Sequence, residues 1–78
     1  MAKKDKFQPG DRVRCVKFSI ENNANFIRLN DTGTVVRSTG HGEFGQTYLV
    51  AWDDPVENAD TPDGSWWYCD EPDLEIAA

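Results

Sequence analysis

His41, Cys15, Cys69 and a run of turn acids carry the reactive groups of this 78-residue chain. His41 lies between Gly40 and Gly42. No neighbour in sequence offers it a nucleophile or an orienting carboxylate, and acid–base work needs such a partner within hydrogen-bond reach. A structural zinc takes four ligands, and a paired CxxC spacing is its usual signature. The two cysteines and His41 supply too few, and no CxxC is present. Asp53-Asp54 and Asp70-Glu71-x-Asp73 place carboxylates close together, but without the spacing of an EF-hand loop. There is no P-loop, no GxSxG and no cysteine–histidine arrangement of known type. The chain therefore reads as non-enzymatic, with no metal and no cofactor.

Aromatics remain as the residues able to make a site. Three Trp, two Tyr and four Phe are present. Each can bury about 150–250 Å², which matters because a domain this small hides only about 60% of its unfolded surface. Trp66 and Trp67 are adjacent. In a strand the pleat sends neighbours to opposite faces. Cys69 shares the face of Trp67, and a cysteine in a β-rich run is usually a small buried hydrophobe. Trp67 is therefore expected in the core and Trp66 in solvent.

The elements that must position these groups are short β-rich runs separated by turn signals. Residues 1–6 form a flexible basic N-terminus, and 7–78 a single domain. Pro9-Gly10-Asp11 turns into a first strand, Arg12 to Phe18, with Val13 and Cys15 on one face. Ser19 to Asn30 is an Asn-rich excursion loop, pinned by Phe26, Ile27 and Leu29, with room for one helical turn. Asn30-Asp31-Thr32-Gly33 opens a second strand, Gly33 to Arg37. Gly33 there marks a close backbone approach. Ser38 to Gln46 reads as a mobile glycine-rich hairpin loop. The third strand, Thr47 to Asp53, sets Tyr48, Val50 and Trp52 on one face. A second exposed loop runs from Asp54 to Gly64. Ser65 to Cys69 is the fourth strand, Asp70 to Asp73 a turn, and Leu74 to Ile76 a last strand. The fold class is all-β: a five-stranded small barrel with long loops.

Charge is divided along the chain. Net charge is −6. All eight Lys and Arg lie at or before Arg37, whereas ten of the fourteen acids follow it. An acidic second half fits a partner with a basic surface. Asp53, Asp54, Asp70 and Glu71 are the acids assigned to such a contact. The basic half supports an alternative, nucleic-acid binding through Arg12, Arg14, Lys17, Arg28 and Arg37, with an exposed aromatic for base stacking. A third reading is an acidic mimic of nucleic acid. No run approaches the length of a membrane span, and no apolar stretch follows the basic start as in a signal peptide. A monomer in the cytoplasm, with reduced thiols, is expected.

Gly10-Asp11-Arg12-Val13, Gly33-Thr34-Val35-Val36, Val50-x-Trp52-Asp53-Asp54 and the closing Trp67 to Leu74-Glu75 resemble the frame of SH3-like small barrels. Short bacterial and bacteriophage proteins of this kind, and the KOW-type and MIB-type modules, are similar to it over about Phe7 to Ile76. The resemblance implies an SH3-like barrel whose open-face aromatics form a ligand groove. Carried onto this chain, that groove is Trp66, Tyr68, Phe44 and Trp52, and its ligand is another protein. The order of Gly10-Asp11-Arg12-Val13, Gly33-Thr34-Val35, Trp52-Asp53-Asp54-Pro55 and Asp63-Gly64-Ser65 is also similar to CAP-Gly domains. Those bind acidic C-terminal peptides, which Glu57, Asp60 and Asp63 would repel here.

Overall fold

The computed structural model describes residues 6–54 and 65–77. It is all-β, with five antiparallel strands in one sheet. The strands are β1 (Arg12–Cys15), β2 (Thr32–Gly42), β3 (Gly45–Trp52), β4 (Trp66–Asp70) and β5 (Leu74–Ile76). Their order in the sheet is β4-β3-β2-β1-β5, which leaves β4 and β5 as end strands. Two 3₁₀ turns, Glu21–Asn25 and Glu71–Asp73, fill the excursion loop and the β4–β5 corner. The flexible start expected at residues 1–6 lies outside the described residues except for Lys6, and the loop expected at 54–64 except for Asp54.

Alternation builds the core. Val13 and Cys15 of β1, Val35 of β2, Tyr48, Val50 and Trp52 of β3, Cys69 of β4 and Leu74 of β5 are buried together. Phe7 seals one end. Its ring meets Tyr48 edge-on at 5.3 Å, and its N–H donates to Tyr48 Oη at 3.2 Å. Tyr48 Oη in turn donates to Glu71 Oε2 at 2.8 Å. Gly33 is required by contact. A Cβ there would stand 2.7 Å from the Ala51 carbonyl oxygen and 2.7 Å from Val50 Cγ1, so β2 and β3 approach too closely for any side chain.

Three expectations are corrected. The mobile loop at Ser38–Gln46 is instead regular β structure. β2 and β3 continue to a tip at Glu43-Phe44, and Gly45 closes the turn with φ 99°. Register shifts at Val35/Arg37 and Ser38/Gly40 absorb the extra residues. Gln46 Nε2 bonds Ser38 Oγ, and Thr39 Oγ1 bonds the Thr47 carbonyl at 3.2 Å. The first strand stops at Cys15 rather than Phe18; Val16 still makes one further bond in the β1–β5 register, its N–H donating to the Asp73 carbonyl at 2.8 Å. The chain then leaves as the excursion loop. Phe26 and Ile27 pin that loop as expected, but Leu29 does not: it is 52% exposed. The buried carboxylate of Asp73 does the remaining anchoring, accepting from the Ser19 N–H at 2.8 Å and from Ser19 Oγ at 2.5 Å.

Candidate functional site

Cross-strand register assembles a continuous outer surface. Directly paired residues share a face. One row runs Arg12, Thr34, Ala51, Trp66 across β1, β2, β3 and β4. The next runs Arg37, Leu49, Tyr68. Trp66 is 36% exposed and Tyr68 44%. Leu49 is buried between its row neighbours although it faces away from the core cluster. Two large aromatics on an end strand, above a covered leucine, form an apolar patch that projects into solvent.

The two tryptophans divide as the pleat dictates. Trp67 turns inward and packs against the core, and it is half-buried rather than wholly enclosed. Phe26 stacks on its ring at 3.9 Å between centroids. Its Nε1–H donates to Asn23 Oδ1 at 3.0 Å. Cys69, two residues on, is buried.

Other assigned residues do not reach this patch. Trp52 is 3% exposed and belongs to the core, its Nε1 without a partner among the described residues. It shares a face with Tyr48 and Val50, and a barrel this small needs its bulk inside. Asp70 is also withdrawn from the surface, 3% exposed. Its Oδ1 accepts from Thr47 Oγ1 at 3.0 Å. Burial raises the Asp70 carboxyl above the usual range, and nearby Asp73 adds to this, while the Thr47 bond pulls the other way. Glu71 is half-buried and is the acceptor of Tyr48 Oη. Phe44 is exposed at the β2–β3 turn, off both cross-strand rows. Asp54 is exposed.

Much of the charge is used internally. Arg12 Nη1 donates to Asp53 Oδ1 at 2.8 Å and Arg12 Nη2 to Asp53 Oδ2, while Thr32 Oγ1 donates to the same carboxylate at 2.7 Å. The guanidinium, then the Thr32 hydroxyl, pull the Asp53 carboxyl down to about 2. Arg14 is paired with Glu75 at 2.8 Å. Lys17 and Arg28 are exposed on the excursion side of the chain. Two of the assigned cations stand in a row with an exposed aromatic: Arg12, which is held by Asp53, and Arg37, which is exposed.

His41 is exposed near the end of β2. Among the described residues, no three His, Cys, Asp or Glu side chains are placed to hold a metal. Cys15 and Cys69 are free and buried. They hydrogen-bond each other across the interior, which lowers the Cys15 thiol and raises that of Cys69. Among the described residues no helix is long and apolar enough to cross a membrane.

Sequence reading missed one feature, a cavity of about 240 Å³ along β4, lined by Trp67, Tyr68, Asp70, Ile20, Asn23 and Thr47 among others. Its walls come from segments distant in sequence, so no local pattern announces it. Compared with known proteins, the chain matches no family model, no curated relative and no solved structure.

Proposed function

We propose that this chain is a non-enzymatic binding module, an adaptor or inhibitor that engages another protein through the outer face of β3 and β4. Trp66 and Tyr68 are its contact residues. One observation carries the reading: two large aromatics, two residues apart on an end strand, stay exposed over Leu49. Aromatics are enriched at protein interfaces because they bury much area at small entropic cost. The resemblance to SH3-like barrels, with their open-face aromatic grooves, supports the same assignment.

Immobilised protein, exposed to a bacterial lysate at low salt, should retain one stoichiometric protein partner, and Trp66→Ala should release it. Retention unaffected by both Trp66→Ala and Tyr68→Ala sinks the assignment of this face.

Nucleic acid is the second reading, favoured by Arg37 beside Leu49 and Tyr68. It ranks lower because Arg12 and Arg14 are already held by Asp53 and Glu75. Phosphate binding would appear in a gel shift at about 50 mM salt and weaken steeply with added salt. The mimic reading ranks last. Asp70 and Asp73 are buried, and Asp53, Glu71 and Glu75 have internal partners, so five of the ten acids after Arg37 are already committed within the fold.

A further inference from the structure

Four consecutive residues, Trp67 to Asp70, line the cavity beside β4. Successive residues of a strand face opposite ways, so a space that touches all four lies along the strand's edge. β4 is an end strand. The Trp52 N–H donates to the Ser65 carbonyl at 2.8 Å. Antiparallel alternation then turns the backbone groups of Trp66 and Tyr68 outward, and no described strand pairs with that edge.

The cavity has apolar walls and an acidic floor. Ile20, Trp67 and Tyr68 supply the walls. Phe26 and Asn23 fix the Trp67 ring, one by stacking and one by accepting its indole N–H. Asn23 and Asp70 are the buried polar groups of the cavity, and Asp70 is the one that carries charge. Its Oδ1 is satisfied by Thr47, but Oδ2 has no hydrogen-bond partner among the described residues. A buried acceptor left unpaired is costly, and native structures rarely leave one without a reason. Glu43, from the β2–β3 tip, adds a second carboxylate, and no lysine or arginine lines the space. An ionised carboxylate only accepts. Whatever completes the site must donate. A volume of about 240 Å³ falls below the roughly 300–1,000 Å³ of sites for drug-sized ligands. It suits one side chain.

We propose that this cavity receives a single cationic side chain, lysine or arginine, from an extended segment of the partner protein. The alkyl stem lies against Ile20 and Tyr68, and the charged head bonds Asp70. The identity of the donor rests on the protein-binding reading above, but the chemistry of the cavity is testable without any partner. Asp70→Asn keeps the size of the side chain and an Oδ1 acceptor for Thr47 while removing the receptor charge.

Labelled protein is titrated with n-butylammonium, n-butylguanidinium and n-butanol at constant ionic strength. NMR follows the Trp67 indole N–H and the Tyr68 and Asp70 amides. Both cations should produce saturable shifts that n-butanol does not, and the tighter of the two names lysine or arginine. Asp70→Asn should weaken cation binding at least tenfold, and Tyr68→Leu should weaken it without touching the carboxylate. Ile76→Ala, exposed on β5 and outside the cavity lining, should leave it unchanged. Equal response to n-butanol, full binding by Asp70→Asn, or no saturable shift with either cation overturns the proposal. If Asp70→Asn does not fold, undiminished binding by Tyr68→Leu does so instead. Cation binding with no captured partner keeps the cavity and removes the adaptor reading. A partner captured through Trp66 without cation binding does the reverse.

Discussion

Trp67→Ala should destabilise the protein by about 3 kcal/mol and Trp66→Ala by about 1 kcal/mol, although the two residues are neighbours with the same side chain. The larger figure has three sources. The stack on Phe26 at 3.9 Å contributes about 0.5–1.5 kcal/mol beyond its area. Loss of the indole donor leaves the buried Asn23 Oδ1 unpaired, a penalty of about 1–3 kcal/mol. The emptied space beside the core adds a cavity cost. Trp66 faces outward from β4, makes no hydrogen bond that burial enforces, and is 36% exposed.

Urea unfolding followed by circular dichroism separates the two. With a slope of about 1 kcal/mol per molar urea for a domain this small, the Trp67→Ala midpoint should fall by about 3 M. That is a large share of the roughly 4–12 kcal/mol typical of a chain of this length. Trp67→Phe keeps a ring for the stack and loses the donor, so its cost should fall between the other two, at about 1–2 kcal/mol. Should Trp66→Ala prove the most destabilising, the inward and outward faces of β4 are assigned the wrong way round, and the contact residues with them.

Gly33→Ala should cost about 2–3 kcal/mol, since its Cβ would meet a carbonyl oxygen at 2.7 Å. Gly42→Ala, whose nearest contact is Thr47 Oγ1 at 3.3 Å, should cost under about 1 kcal/mol; equal midpoints in urea would refute the close-approach argument. The Asp53 carboxyl titrates at about 2 in the folded protein against 3.8 in the unfolded chain. Its contribution is therefore present above pH 4 and lost as pH falls from about 4 to about 2. Solvent screening holds it to about 1 kcal/mol or less, and Asp53→Asn should flatten that part of a stability–pH curve. A thiol-labelling reagent should modify neither Cys15 nor Cys69 in the native protein and both in urea, because both are buried; labelling under native conditions would place one of them at the surface.

Strand number and core were legible where period-two patterns were clean. Val13 and Cys15, then Tyr48, Val50 and Trp52, alternate without interruption, and each proved buried. Gly33 was legible because a glycine inside a strand calls for a steric reason. The β2–β3 tip was not. Gly40, Gly42 and Gly45 read locally as loop residues, and only pairing between Ser38–Gly42 and Gly45–Tyr48, with two register shifts, keeps them in β structure. Trp52, read as a groove residue, shares its strand face with Tyr48 and Val50, and packing puts it in the core with them. The acids were least legible. Asp53, Asp70 and Asp73 look alike in sequence. One holds Arg12, one is half-satisfied at a cavity, and one anchors Ser19. Those differences come from partners 41, 23 and 54 residues away.

β4 concentrates both stability and recognition, and its alternation keeps them on different residues. Trp67 and Cys69 turn toward the core, while Trp66 and Tyr68 turn away. A surface built this way tolerates loss of its contact residues without unfolding, which is why Trp66→Ala tests binding and Trp67→Ala tests stability. Asp70, at the end of the same strand, is the exception to that division. It is as buried as the core residues, yet one of its oxygens has no partner among the described residues. A residue chosen for stability alone at that position would be apolar, or an amide able to donate as well as accept. On the reading proposed above, a carboxylate held there at a cost to folding serves a partner that arrives from outside.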